Sequence, residues 1–326
     1  MAEMTMIEAI RTALGRAMEE DSTVLILGED VGLDGGVFRA TDGLVQRYGR
    51  DRVRDTPISE SAIAGVAVGA AARGLRPVAE IQFAGFIYPA IDQIVNHAGR
   101  LRARTRGRLS CPMVLRAPYG GGIHAPEHHS ESPEAMFAHI PGIRVVIPSS
   151  PARAYGQLLA AIRDPDPIIF LEPKRLYRAF TEEVIDDGQA LSLDRSFVLR
   201  TGEDLTLVTW GALTRESLEA AELLSDEEVD VEVIDLATLK PYDAKAVISS
   251  VERTGRCVIA YEAPRTAGFG AEIAACVAEH AITSLIAPVR RVAGYDTVMP
   301  LLRLEAEYMP STERIAQVSR ELMAWH

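Results

Sequence analysis

The stretch RPVAEIQFAGFIYPAIDQIVNHAGRL, residues 76–101, decides the fold. Its first part, RPVAEIQF (76–83), is rich in Val, Ile and Phe and reads as a short buried strand. Then Ile87, Ile91, Ile94, Val95, Ala98 and Leu101 recur at helical spacing, and Pro89 suits a helix's first turn. A strand that runs straight into a helix is half of a crossover unit. Repeated along a chain, such units build a parallel sheet with helices on its faces.

The repetition is present. TVLILGED (23–30), PMVLRAPY (112–119), IRVVIPSS (143–150) and DPIIFLEP (166–173) read as further strands bounded by Gly, Pro or Asp. The stretch 174–197 is polar and irregular, so a domain boundary is placed near residue 190. A second alternation follows in DLTLVTWG (204–211), VDVEVIDL (229–236), RCVIAYEA (256–263) and VRRVAGYD (289–296). Asp243 is a predicted N-cap and Gly255 a predicted residue just past a helix end. The expectation is an α/β chain of two doubly wound domains, 1–190 and 191–326.

Composition narrows the classes. With 326 residues, 48% apolar and 25% charged, the chain has the balance of a globular protein with substantial cores. No uncharged apolar run reaches the roughly 18 residues of a membrane helix. The start, MAEMTMIEAIRTALGRAMEE, reads as an amphipathic helix and lacks the pattern of a signal peptide, so a cytoplasmic protein is expected. Cys111, Cys257 and Cys276 are dispersed and form no CxxC pair, which points to neither a disulfide framework nor a zinc site. A net charge of −12 argues against nucleic-acid binding. The local exception is RLRARTRGR (100–108), with five arginines, which also reads as a solvated helix end or a partner-facing loop.

Three stretches carry candidate chemistry. GEDVGLDGG (28–36) and YGGG (119–122) each follow a strand, yet neither is G-x-G-x-x-G or a P-loop, and tight turns account for both. IHAPEHHSES (123–132) holds His124, His128 and His129 with Glu127 and Glu131. His124 to His128 matches the H-x-x-E-H pattern of some metallohydrolases. That chemistry needs a helix, which the preceding glycines and Pro126 oppose. A glycine-flanked loop after a parallel strand is instead where such folds place ligand-contacting groups. Finally, DTPISES (55–61) puts Glu60 at the start of the apolar run AIAGVAVGAAARG. Ser59 can cap a helix there, with Glu60 in the first turn to suit its dipole. A partly buried carboxyl with a raised pKa, able to share a proton with a ligand's ring nitrogen, is the functional alternative.

These residues resemble the beta subunits of the thiamine diphosphate-dependent 2-oxo acid dehydrogenases, a transketolase-like family. The resemblance rests on GEDVG (28–32), GGVFRATDGL (35–44), DTPISES (55–61), EIQF (80–83), PAIDQI (89–94), GGGIHAPEHHSES (120–132), PGIRVVIPSSP (141–151), DPIIFLEPKRLYR (166–178), RTGRCV (253–258) and GFGAEI (268–273), and so spans nearly the whole chain. It implies a pyrimidine-binding domain followed by a transketolase C-terminal domain. It also implies a heterotetramer of two alpha and two beta subunits. The alpha subunit would hold the diphosphate and Mg²⁺, which fits the missing phosphate motif. Glu60 would contact N1′ of the aminopyrimidine and favour its imino tautomer. Phe86 would pack on that ring, with Gln82 nearby. His129, and less directly His124, would face the substrate, and Glu131 stands where the family commonly has Gln. Some members hold a structural monovalent cation such as K⁺; AIRDPDP then implies Ala161, Ile162, Asp164 and Asp166, with Met113 from the facing strand. The implied reaction is oxidative decarboxylation of a 2-oxo acid with acyl transfer to lipoyl-lysine of an acyltransferase core. FLEPKRLYR and HHSESPEA lean toward a branched-chain substrate of the 2-oxoisovalerate type, and GGGIHAPE toward pyruvate, with acetoin dehydrogenase a further alternative. A non-catalytic assembly subunit would be a different class of reading on the same fold.

Overall fold

The structure is a computed structural model that describes residues 1–325. Two compact units result. One contains residues 1–119 and 136–193, the other residues 120–135 and 194 onward. The packing therefore does not follow a single cut near residue 190. The histidine-rich loop, 120–135, belongs with the C-terminal half.

In chain order, the elements of the first unit begin with β1 (Ala2–Thr5), α1 (Met6–Glu20), β2 (Val24–Gly28), α2 (Leu44–Tyr48) and β3 (Val53–Asp55). They continue with α3 (Glu60–Ala72), β4 (Arg76–Glu80), α4 (Ile91–Asn96), α5 (Leu101–Arg104) and β5 (Val114–Tyr119). After the loop come α6 (Glu134–His139), β6 (Arg144–Val146), α7 (Pro151–Arg163), β7 (Ile168–Pro173) and β8 (Thr181–Val184). The strands run parallel in the order β6-β7-β5-β4-β2-β3. A separate antiparallel ribbon pairs β1 with β8, Ala2 opposite Val184.

The chain direction across this sheet reverses at β2. From β2 the chain goes to β3 on one side and then to β4 on the other. In open parallel sheets such a reversal leaves a crevice beyond the carboxyl ends of the two strands, where ligands bind. Glu29 and Asp30 directly follow β2, and Ile81 and Gln82 follow β4.

The expected long helix over 87–101 is broken. Two 3₁₀ turns (Ala84–Phe86, Tyr88–Ala90) precede α4, and a third (Ala98–Arg100) separates α4 from α5. Backbone approach accounts for the second break. A Cβ at Gly142 (φ +83°) would overlap the Gly99 carbonyl, so the two loops lie closer than any side chain permits. The N-terminal segment also departs from one helix: residues 2–5 pair as a strand, and α1 starts behind a Thr5–Glu8 capping box.

The core of the first sheet contains charge. Arg116 on β5 is buried and donates two parallel bonds to Glu172 on β7, at 2.7 and 2.8 Å. Its third donor reaches Glu80 on β4, and the Tyr177 hydroxyl also donates to Glu172. Burial opposes the Arg116 charge, yet Glu172 and Glu80 outweigh it and the guanidinium stays protonated. For Glu80 burial wins: it raises the pKa, Arg116 pulls it back, and Glu172 pushes it up again. One cation thus serves two carboxyls and ties the middle of β5 to the C-terminal ends of β4 and β7.

The second unit holds β9 (Phe197–Arg200), β10 (Leu205–Thr209), α8 (Leu213–Ser225), β11 (Val231–Asp235), β12 (Thr238–Lys240) and α9 (Ala244–Thr254). It continues through β13 (Cys257–Pro264), α10 (Gly270–His280), β14 (Arg290–Gly294), α11 (Glu305–Tyr308) and α12 (Thr312–Met323). Its sheet runs β14-β13-β10-β11-β9, parallel except for the antiparallel edge strand β9. Leu205, Leu207, Val231, Val233, Val258 and Val292 pack against Leu213, Leu224, Ile315 and Leu322 of α8 and α12. Asp243 caps α9 by accepting from the Ala246 N–H at 3.1 Å, and Gly255 ends that helix at φ +68°, both as its sequence implies.

Removing Arg116 leaves two buried carboxyls facing each other without a cation. Arg116→Met is expected to cost about 3–5 kcal/mol in urea unfolding. A loss under about 1 kcal/mol would show that the network does not hold the strands.

Candidate active site

In the first unit, the residues singled out in sequence converge on the β2/β4 crevice. Helix α3 begins at Glu60, and Ser59 is extended (φ −165°, ψ 90°) but makes no side-chain cap bond. The capping expectation for Ser59 is thus not met, and the helix start holds Glu60 half-buried. Next to it stands a residue that motif reading passed over. Glu29, in GEDVG, is buried, and its Oε1 has no hydrogen-bond partner among the described residues. Its pKa is raised, first by burial and then by the negative charges of Glu60 and Asp30, against the pull of the Ser59 N–H. Glu29 is thus a buried carboxyl reluctant to ionise, with a second carboxyl, Glu60, in electrostatic contact with it. The sequence signal was available: an acidic residue directly after a parallel strand at the reversal point.

Gln82, half-buried, donates to Asp30 at 3.1 Å, which joins the ends of β4 and β2. Phe86, also half-buried, meets Phe83 edge-on with centroids 5.8 Å apart. Phe83 in turn meets Phe38, and Phe38 meets Tyr177 of the buried network. Gln82 is thus joined to Asp30, and Glu60 acts electrostatically on Glu29, at the ends of β4 and β2, while Phe86 is placed through its contact with Phe83. The side chains fit the aminopyrimidine half of thiamine diphosphate. They provide carboxyls for a ring nitrogen, an amide, an aromatic edge, and one buried oxygen still lacking a donor. They provide no diphosphate or divalent-cation site, since this set contains no cradle of backbone N–H groups.

The expected monovalent-cation ligands do not fit a cation cage. The carbonyls of Ile162 and Asp164 accept from the Arg76 guanidinium at 2.8 and 3.1 Å. The Asp164 carboxylate binds Arg144 at 2.8 Å and the Asp166 N–H at 2.8 Å, and Asp166 binds Arg102 at 2.6 Å. The Met113 carbonyl accepts from Ile168 in the sheet, and Ala161 lies in the last turn of α7. Arginines supply the positive charge that K⁺ was expected to bring.

In the second unit, the loop 120–132 is neither helical nor a phosphate loop. Its glycine N–H groups bind the protein's own carboxylates. Gly121 donates to Glu262 of β13, and Gly122 and His124 donate to Glu305 of α11 at 2.5 and 2.8 Å. Gly120 is at φ +84°, and a Cβ there would come within 2.8 Å of Glu262. The glycines are needed because buried carboxylates approach the backbone so closely. His124 and His128 have φ of +55° and +66°, outside helical geometry, so the H-x-x-E-H spacing is not on a helix. Among the described residues no group of three or more His, Cys, Asp or Glu is arranged to hold a metal. The half-buried His129 places Nδ1 2.9 Å from the Glu127 carbonyl, and His124 stands exposed beside Glu305.

Beneath the loop, Glu134 is fully buried. Its Oε1 accepts from Trp210 Nε1 at 3.3 Å, and Trp210 stacks on Tyr261 with centroids 5.1 Å apart. Its Oε2 has no partner among the described residues. Burial, aided by Glu262 and opposed by a backbone and a Trp210 hydrogen bond, pushes its pKa up to about 8.

The chain has two α/β units with acidic residues at the sheet reversal, and comparison with known proteins gives its class. Residues 2–179 match the model of the transketolase pyrimidine binding domain, and residues 195–315 that of the transketolase C-terminal domain. A split-gene transketolase, described as an inactive beta4 tetramer, superposes with a TM-score of 0.81 at 24% identity over 99% of each chain. A Pichia stipitis transketolase solved with sedoheptulose 7-phosphate superposes at 0.72; the chain spans 46% of its length. The chain thus belongs to the transketolase-like, thiamine diphosphate-dependent family. Within that family it is similar along its whole length to beta subunits of the pyruvate dehydrogenase E1 component. It is 48% identical to that of Acholeplasma laidlawii over 99% of this chain and 98% of the relative, and 46% identical to that of Bacillus subtilis over 99% of each. No described helix is long and apolar enough to cross a membrane.

Folded Glu134 keeps its proton to about pH 8, while an unperturbed carboxyl releases it near 4.5. The folded chain therefore binds more protons across that window, and stability falls as pH rises through it. Glu134→Gln is expected to remove this cost. Its stability gain should be small near pH 4.5 and grow to on the order of 4 kcal/mol above pH 8. A gain that is constant between pH 5 and 8 in denaturant titrations would contradict a raised Glu134 pKa.

Proposed function

We propose that the chain is the beta subunit of a pyruvate dehydrogenase E1 component, active with an alpha subunit in a two-alpha, two-beta assembly. The branched-chain substrate expected from FLEPKRLYR and HHSESPEA gives way to pyruvate. Those motifs are outweighed by near-full-length similarity to relatives named for pyruvate. Glu60 at the start of α3, in electrostatic contact with the buried Glu29, is the observation that carries the catalytic reading. The division of the site supports the alpha partner: the β2/β4 residues suit a pyrimidine and offer nothing for a diphosphate or Mg²⁺. Helix α3 adds to this. It has no charge after Glu60, buries Ile63, Ala64, Ala67 and Ala71, and leaves Ala62, Val66 and Gly69 exposed. An apolar outer face of small residues suits close packing of another chain.

Thiamine diphosphate, when bound, supplies the carbanion chemistry by which a 2-oxo acid loses CO₂. The chain's residues govern its proton and its orientation. Glu60 holds a proton shared with N1′ of the pyrimidine. Glu29 beside it, whose pKa is raised by burial and by its acidic neighbours, is a second carboxyl able to carry a proton there. Phe86 and Phe83 give the ring an apolar surface, and Gln82 fixes the turn from β4. His129 and His124 serve the substrate side, where the acyl group passes to lipoyl-lysine of an acyltransferase core.

Glu60→Gln keeps the size and hydrogen-bonding capacity of the side chain but cannot exchange the proton. In the reconstituted assembly it is expected to lower lipoamide-dependent turnover about 10²–10⁴-fold while assembly is retained. Near-normal turnover by an intact assembly would leave an assembly subunit as the better reading. Substrate choice is tested separately. Reconstitution with an alpha partner, thiamine diphosphate and Mg²⁺ is expected to give higher kcat/KM for pyruvate than for 2-oxoisovalerate or 2-oxobutanoate. The reverse order would restore the branched-chain assignment.

A further inference from the structure

Glu305 is the first residue of α11 in the second unit. It is 2% exposed, yet it serves one short loop with both oxygens. Oε1 accepts the Gly122 N–H at 2.5 Å, and Oε2 accepts the His124 N–H at 2.8 Å. The same Oε2 lies 2.8 Å from His124 Nδ1. The imidazole itself is 61% exposed and sits on a backbone at φ +55°. A non-glycine residue in that region is strained and persists only where its surroundings hold it. Glu305 is what holds it.

The chemistry of the contact fixes a proton. Nδ1 and Oε2 stand at ion-pair distance, and an ionised carboxylate that close only accepts, which favours a hydrogen on Nδ1 over a lone pair there. Neutral His124 therefore carries its hydrogen on Nδ1 and turns Nε2 outward as an acceptor; when protonated, it presents Nε2–H instead. The other charged groups around this loop are acidic as well: Glu262 at Gly121, and Glu131, which with Glu262 and Glu134 acts on Tyr308. None of these carboxylates, when ionised, has a proton to donate to Nδ1.

We propose that Glu305 is a positioning residue that orients His124 and sets its tautomer, presenting Nε2 to the substrate side. This rests on the reading of His124 as a substrate-side histidine. It explains why a carboxylate remote in sequence is buried under the loop.

Two measurements separate the proposal from that reading. The first is nitrogen-15 NMR of the full chain labelled at histidine, with the His124 signals assigned by their loss in His124→Gln. The Nδ1–H tautomer is expected in the wild type. It should give way to Nε2–H in Glu305→Gln, whose amide can face Nδ1 with a donor. A wild-type Nε2–H tautomer would overturn the pairing. The second measurement is turnover in the reconstituted assembly. Glu305→Gln and His124→Gln are each expected to lower kcat/KM at least about tenfold, and the double variant to match His124→Gln within about twofold. Losses that multiply in the double variant would overturn action through His124. Full turnover by His124→Gln with the tautomer intact would overturn the substrate-side role while leaving the pairing in place. His124→Gln leaves Glu305 and its backbone bonds untouched, so it remains informative if Glu305→Gln unfolds the loop.

Discussion

A single buried cation, Arg116, sets the first unit's working end. Its fork grips Glu172 on one neighbouring strand and Glu80 on the other, so the ends of β4 and β7 are held in register with the middle of β5. Registry in a parallel sheet is otherwise maintained by apolar packing, which tolerates small shifts more readily than a bidentate ion pair does. From this point the arrangement propagates outward. Tyr177 donates to Glu172 and meets Phe38, which meets Phe83, which meets Phe86. Glu80 is the last residue of β4, two before Gln82. The aromatic edge and the turn that carries Gln82 both hang from the Arg116 network.

Buried carboxyls recur in both units and do different work. Glu80 and Glu172 share a guanidinium and serve registry. Glu29 and Glu60 share no cation, and the cost of burying Glu29 appears as a raised pKa, which suits proton exchange with a ligand. Glu262 and Glu305 are satisfied largely by backbone N–H groups, and they shape a glycine loop into a fixed curve. Glu134 is costly to ionise, because only a tryptophan N–H and a backbone group offset its burial. The same residue type thus ranges from clamp to proton store according to what donates to it.

Much of this was legible in the sequence. Nine strands were expected from Val- and Ile-rich runs, and each coincides with a strand of the structure. The reason is that a strand covered on both faces needs continuous apolar residues, a pattern local enough to read. The edges were not legible. β1, β3, β8 and β9 are short or polar, and they exist because a neighbour offers a ladder, not because of their own composition. The helix over 87–101 was read as continuous because its apolar period is continuous. The approach of Gly142 to Gly99, residues distant in sequence, interrupts it.

The sequence by itself determined the alternation of strands and helices and the family. These follow from local periodicity and from motifs that stand beside strand ends. Only the tertiary structure decided three further points. The histidine loop belongs to the second unit, because its N–H groups are matched to carboxylates on β13 and α11. The corner expected to hold a monovalent cation is instead held by Arg76, Arg102 and Arg144, because charges brought together from separate elements neutralise one another there. Glu29 and Glu305 matter, because the value of a carboxyl depends on its burial and on the donors around it, and neither is written in the residues beside it.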